Sequence, residues 1–243
     1  MDKTAVTIKG QVVIPVKLRR RFGIRKGTQV YLYERNGEII IKPITDEYLR
    51  SMAGITGTKG KLLRALMVEK ARERAAHRDI RFHLEGTGDH QVFMDPEILE
   101  DILDGLLKNA VENTPDEGMI RILSERNGDR ILLKVQDFGI GITEENQKSI
   151  FDGLFHTQET DLYMSRKPYD FNAGGKGLYL LKMKGYGQCF GFDLSVESRR
   201  CLYLPTDRDI CPGRISACPH CGKPEDCLSS GETTFCLSFP ASR

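Results

Sequence analysis

The sequence predicts an α+β chain in two parts: a small β-rich N-terminal unit and a larger α/β sandwich that carries a cysteine-rich insert. Three observations predict it. Residues 1–46 hold ten Lys and Arg against four acids, whereas the remainder carries more acids than bases. Alternating β-branched segments crowd the first 43 residues around two turn signals, and from residue 80 onward strand-like and helix-like periodicities follow one another. A hydrophobic content of 40% with 29% charged residues excludes a disordered chain. No apolar run approaches the roughly 20 residues that cross a bilayer, so no membrane contact is expected. The opening MDKTAVTIKG lacks an apolar signal core, which places the expected location in the cytoplasm.

In chain order, residues 5–14 (AVTIKGQVVI) read as strand, Lys9-Gly10 turn and strand, ended at Pro15, which supplies no ladder N–H. Val16–Phe22 reads as a short basic helix stopped at Gly23. Gln29–Glu34 and Glu38–Pro43 alternate around Asn36-Gly37, a strong hairpin signal. About 45 residues bury too little core to stand alone, so a homodimer through this unit is the physical expectation. Arg19, Arg20, Arg21, Arg25 and Lys26 gather five cations within eight residues, enough to neutralise several phosphates of a polyanion.

Thr45–Lys61 reads as a linker, and Leu62–Ala76 as a connecting helix with Leu62/Leu66, Leu63/Met67 and Ala71/Ala75 at i,i+4 spacing. The expected domains are therefore 1–46, a connecting segment 47–76, and 77–243. Ile80–Leu84 reads as a strand, and Pro96–Asn113 as a helix with Asp95 as N-cap. Ile120–Arg126 and Arg130–Asp137 are strands joined through Asn127-Gly128. A long polar loop with helical pieces runs to Ala173. Gly177–Tyr186 reads as a helix, and Phe190–Glu197 and Thr233–Phe239 as strands.

Three segments carry the chemistry. LLKNAVENTP places Asn109 inside a helix, where its amide oxygen suits an Mg2+ shell otherwise made of water and phosphate. VQDFGIGI places Asp137 at a strand end, able to accept from an exocyclic amine, with Gly139 and Gly141 letting backbone approach a flat base. NAGGKGL leads Gly174, Gly175, Lys176, Gly177 and Leu178 into a helix N-terminus, an anion site for phosphates.

On these residues, the stretch from about 77 to 240 resembles the catalytic ATP-binding domain of histidine kinases, within the gyrase/Hsp90/kinase/MutL (GHKL) superfamily. The resemblance implies a Bergerat-type sandwich with ATP and Mg2+ as ligands. Asn109 would be the Mg2+-binding asparagine and Asp137 the adenine-reading aspartate. Gly139 and Gly141 would form the first glycine box, Ile150–Phe155 the F-box, and Gly174, Gly175 and Gly177 the second glycine box, with 142–173 a lid over ATP. Two departures bear on activity. Gly105 stands where hydrolysing relatives carry a water-activating Glu, and Glu112 stands where kinases often have a base, leaving phosphate charge to Lys176. The phosphoacceptor His with its following acid, Arg and Pro is absent, and His77 reads as a helix-end residue.

Residues 4–43, carrying KGQVVIP, LRRRFGI, KGTQV and a final strand ending in KP, resemble the AbrB/MazE/SpoVT family of swapped-hairpin DNA-binding domains. The resemblance implies a domain-swapped dimer with Lys9, Arg19, Arg20 and Arg21 on DNA. Together the two resemblances point to a DNA-binding regulator that binds Mg-ATP. The alternative is a protein kinase that phosphorylates a His, Ser or Thr on a partner protein, with the N-terminal unit serving to dimerise.

All seven cysteines lie between Cys189 and Cys236. In the insert at about 199–230, Cys211, Cys218, Cys221 and Cys227 provide four thiolates, two of them in a CxxC half-site. This pattern favours a structural Zn2+ over an iron–sulfur cluster. Cys201 is an alternative ligand, His220 lies between two ligands, and Cys189 and Cys236 read as buried packing residues.

Overall fold

The computed structural model describes residues 4–28, 30–35, 37–43, 68–69, 71–86, 92, 94–152, 168–173 and 178–241. The chain divides into two compact units, Met1–Gly57 and Thr58–Arg243.

In the first unit, the strand–turn–strand expected over 5–14 is reduced to one bridge, Val6 opposite Val12. The turn itself forms: the Gly10 N–H donates to the Thr7 carbonyl at 2.8 Å, with Gly10 at φ +73°. A two-stranded ribbon with no apolar partner is marginal in water, which accounts for the missing ladder. Helix α1 (Val16–Arg21) ends one residue earlier than expected, at Phe22 and Gly23, the latter at φ +64°. Strands β1 (Val30–Arg35) and β2 (Glu38–Pro43) pair antiparallel, closing at Arg35 opposite Glu38, with Gly37 at φ +79°. None of the described side chains of 4–43 is buried.

The second unit is built on a five-stranded mixed sheet of β3 (Arg81–Glu85), β4 (Met119–Asn127), β5 (Arg130–Asp137), β6 (Asp193–Arg199) and β7 (Glu232–Pro240). Their spatial order is β3-β4-β5-β7-β6, with β3 parallel to β4 and the other pairs antiparallel. Burial alternates along β5 and β7 and along β4 as far as Glu125. One row (Ile120, Ile122, Val135, Phe235, Leu237) faces the core, while the other carries pairs such as Lys134 with Glu125 at 2.9 Å. One face packed and one wet is the usual solution for a mainly antiparallel sheet.

The packed face is covered by α2 (Pro96–Asn113) and α4 (Leu178–Phe190). Asp95 starts α2 by accepting from the Glu97 N–H at 2.9 Å and the Ile98 N–H at 3.4 Å, with Pro96 in the first turn. Ile102, Leu106 and Val111 of α2 and Met183 of α4 are among its fully buried side chains. Helix α4 runs four residues past the expected Tyr186, so the following strand begins at Asp193 rather than Phe190; Gly191, at φ +70°, makes the break.

Residues 68–69 and 71–74 are helical, with Val68, Ala71 and Ala75 buried. The remainder of the expected connecting helix, including Leu62, Leu63, Leu66 and Met67, lies outside the described residues, as does the linker. A four-residue helix α3 (Glu144–Gln147) follows β5. The insert between β6 and β7 contains the turn Ile215–Ala217 and helix α5 (Pro224–Leu228). No helix among the described residues is long and apolar enough to cross a membrane.

Candidate functional site

The helix, the strand end and the residues leading to the second glycine box meet on the last turn of α2. The glycine at 139 packs so closely on the Asn113 carbonyl that any side chain there would overlap it. From the other direction, the Asn172 N–H donates to the Glu112 carbonyl at 2.6 Å. Asn109 sits one turn earlier, half-buried, and accepts at its Oδ1 from the Asn113 side-chain amide at 3.3 Å. Asn113 also donates to the Asn109 carbonyl at 2.8 Å, which orients both amides. Gly174, Gly175, Lys176 and Gly177 lie outside the described residues, and Leu178 begins α4.

Asp137 ends the core-facing row of β5, where the alternation demands an apolar residue. It is 1% exposed and lies opposite Ile120 on β4 and Thr233 on β7. Its Oδ1 accepts from the Gly139 N–H at 3.2 Å. Burial pushes its carboxyl up to about 8, against the weaker pull of backbone hydrogen bonds and with a small further push from Glu232. The next residues of the row complete the floor: the Thr233 and Ser198 hydroxyls lie 2.9 Å apart, and Ser198 Oγ accepts from the Ile142 N–H at 2.8 Å. Thr233 and Ser198 escaped the sequence reading; the signal was a small hydroxyl residue at an inward position beside a buried aspartate.

The glycines serve the protein's own packing. Gly139 fits against Asn113, and Gly141, at φ +71°, against the Arg199 carbonyl. Their missing side chains therefore make room for the protein's own backbone, and Arg200 clasps the turn with Nη1 3.0 Å from the Gly141 carbonyl.

Glu112 has partners that the sequence did not indicate. Its carboxylate is buried, takes the Tyr169 N–H at 3.0 Å and pairs with Lys108 at 3.2 Å. Burial, the largest influence, raises it above the ordinary carboxylate range. It pins the segment returning to α4. At Gly105, any added side chain would overlap the Tyr179 ring, whose hydroxyl donates to the Asp101 carbonyl. The place of the absent carboxylate is thus filled by an aromatic residue from the start of α4. His77 is half-exposed and pairs with Asp170 at 2.9 Å. The Arg78 side chain, by contrast, is only 5% exposed and binds Asp116 at 2.7 Å and the Thr114 and Tyr169 carbonyls at 2.7 and 3.0 Å, joining the end of α2 to the same returning segment.

In the first unit, Lys9, Arg19, Arg20 and Arg21 are exposed, and Arg19 also donates to the Ile14 carbonyl at 3.1 Å. In the insert, Cys201, Cys211, Cys218, Cys221 and Cys227 line one cavity, all as free thiols. Burial and neighbouring thiols push Cys221 up to about 12 and Cys227 up to about 11. Among the described residues, no three His, Cys, Asp or Glu side chains stand ready-made around a metal position. His220 instead stacks on Tyr203, ring centroids 5.3 Å apart. Cys189 is exposed and Cys236 half-buried, not the buried residues expected: Cys236 falls on the outward row of β7 between Phe235 and Leu237.

Residues 94–243, well over half of the chain, match the model of the histidine kinase-, DNA gyrase B- and HSP90-like ATPase family. The chain belongs to that ATPase family. Residues 6–49 match the MazE family, described as antidote-toxin recognition and bacterial antitoxin, so the ATPase-family domain follows a MazE/AbrB-type domain. The circadian input-output histidine kinase CikA of Synechococcus elongatus is 36% identical over 104 residues, covering 43% of this chain and 13% of that protein. The adaptive-response sensory kinase SasA of Gloeothece citriformis is 30% identical over 114 residues, covering 43% of this chain and 28% of that one. This chain thus spans under a third of the length of these curated relatives. Among solved structures, the mycobacterial sensor histidine kinase MprB superposes with a TM-score of 0.51 at 19% identity, covering 76% of this chain and 95% of that one, a likeness of fold. Membership of the ATPase family implies ATP with Mg2+ as ligand, and a buried acceptor beside a helix-borne amide is a donor set that fits a nucleotide.

Proposed function

We propose that this chain is an ATP-responsive, DNA-binding regulator of the cytoplasm. The observation that carries it is the convergence of Asn109, Asp137 and the segment ending at Ala173 on one helix end. Asp137 would accept from the adenine amine at the closed end of the site, while the Asn109 amide oxygen would complete a shell around Mg2+. Gly174, Gly175, Lys176, Gly177 and Leu178 would hold the phosphates at the start of α4. Mg-ATP, when bound, supplies a transferable phosphoryl group. With Gly105 and Tyr179 in place of a water-activating carboxylate, the chain would hold ATP rather than hydrolyse it efficiently.

The N-terminal unit would form a homodimer and lay Lys9, Arg19, Arg20 and Arg21 on DNA. Its apolar side chains support the dimer: Ile8, Val13, Leu32 and Ile39 are all more than 60% exposed in the single chain. Closure over Mg-ATP in two tethered ATPase-family domains would then alter DNA affinity. The insert cysteines Cys211, Cys218, Cys221 and Cys227 would hold one Zn2+ in preference to an iron–sulfur cluster. A second reading, favoured by the likeness to CikA and SasA, is phosphoryl transfer to a His, Ser or Thr of a partner protein.

Equilibrium binding of a fluorescent ATP analogue to the wild type and to Asp137→Asn tests the first reading. Putting an NH2 donor in place of one oxygen of this buried carboxyl is expected to weaken binding by about thirtyfold or more. Equal affinity in the two proteins would overturn it. Stable labelling of a partner from radiolabelled ATP would favour the kinase.

A further inference from the structure

The cysteine-rich insert is built into the back of the nucleotide turn. At its entry, the Cys201 N–H donates to the Ile140 carbonyl at 2.8 Å. At its exit, Gly231 lies so near Gly139 that an added Cβ would come within 2.7 Å of the Gly139 carbonyl oxygen and 2.9 Å of Cys201. The two ends are stitched to each other by the Leu202 N–H to the Ser230 carbonyl at 3.1 Å. Arg214 and Ser216 anchor the middle, reaching the Glu117 carboxylate at 3.0 and 2.7 Å.

Between these anchors lies a cavity of about 20 Å³ lined by Gly139 and Ile140 together with the insert cysteines. That is room for one water-sized particle, such as a single ion. Cys201 has a protein partner, its sulfur 3.4 Å from the Ser230 hydroxyl. Cys211, Cys218, Cys221 and Cys227 line the same cavity, with Cys221 in hydrogen-bond reach of Cys218 and Cys227, and four such sulfurs are the set that a tetrahedral thiophilic cation takes. Because no three of them stand ready-made around a metal position, binding must draw them inward. The backbone that closes the same cavity is the turn following Asp137.

We infer that a thiophilic divalent cation, Zn2+ by its ligand chemistry, binds these four cysteines and by doing so sets the position of the Gly139–Gly141 turn. The insert is thereby a metal-responsive regulator of the nucleotide pocket. The regulatory half rests on the nucleotide reading of Asp137; the coupling of metal to turn does not.

The experiment uses the full reduced chain, stripped of metal, and titrates it with Zn2+ against a chromophoric chelator. Hydrogen exchange of residues 138–142 and of Cys201, together with affinity for a fluorescent ATP analogue, is followed in parallel. One Zn2+ per chain is expected, with slowed exchange at those amides and a change in nucleotide affinity of about fivefold or more. The double variant Cys218→Ser/Cys221→Ser is expected to lose the metal and keep the metal-free affinity at every Zn2+ concentration. Cys189→Ser, at an exposed site outside the cavity, is expected to behave as wild type. Chelation of wild-type protein gives the same comparison without substitution. Failure to bind one equivalent, or binding that leaves both exchange and affinity unchanged, overturns the inference. Metal binding with slowed exchange but no nucleotide bound in either form supports the metal–turn coupling and refutes the nucleotide reading alone.

Discussion

At Asp137, burial outweighs every interaction that favours the charged carboxylate, and this has a consequence for stability. The group is held near 8 in the native chain, whereas in an unfolded chain it titrates near 4. Between those values the native state keeps a proton that the unfolded state has released. Native stability therefore falls as pH rises from about 5 to about 8, with a contribution approaching about 1.4 kcal/mol per pH unit. Urea unfolding at pH 5, 6 and 7 is expected to show this slope in nucleotide-free wild type and to lose it in Asp137→Asn. An identical slope in both would mean that Asp137 is not the titrating group. Asn109 and Asp137 stood out in the sequence through their motifs, Asn109 inside LLKNAVENTP and Asp137 at the end of an alternating strand before two glycines. Glu112 was not legible in the same way, since only the fold shows that the Tyr169 N–H comes to meet it.

Between elements, the packing of α2 on α4 depends on a missing side chain. Gly105→Ala is expected to destabilise the chain by about 1–3 kcal/mol, because the new methyl group would overlap the Tyr179 ring. Tyr179→Ala in the same chain should relieve part of that cost, so thermal melts of the two single variants and the double variant should be non-additive. Strict additivity would show that the two residues do not meet. From sequence alone Gly105 read only as an absent carboxylate, because its partner lies 74 positions away. The elements themselves were read well where their ends carry local signals. Pro96–Asn113 and Arg130–Asp137 were found to the residue, the first through its Asp95-Pro96 start and the second through strict alternation. The N-terminal ribbon was overread, since its alternation describes a ladder that one chain does not complete.

Across the two units, charge and apolar exposure separate as the sequence indicated. The basic residues stand exposed on a unit with no buried side chain among its described residues, whereas the ATPase-family unit has an alternating, fully packed core. If the first unit carries DNA as a dimer, affinity should fall steeply with salt. Arg19→Ala/Arg20→Ala should then weaken binding and lower the slope of log affinity against log salt by roughly two, about one for each phosphate no longer neutralised. An unchanged slope in a gel-shift or anisotropy titration would confine this unit to dimerisation. The insert was legible as a thiol cluster but not as the backing of the Gly139–Gly141 turn, because hydrogen bonds such as Cys201 to Ile140 join residues some sixty positions apart.

The sharpest test is a competition titration of purified chain with ATP and GTP in the presence of Mg2+. A buried acceptor at Asp137 that reads an exocyclic amine meets that amine in adenine and a carbonyl in guanine. ATP should therefore bind at least about a hundredfold more tightly than GTP. Equal affinities would contradict the account, since they would mean that the triphosphate alone is recognised and that Asp137 reads no base.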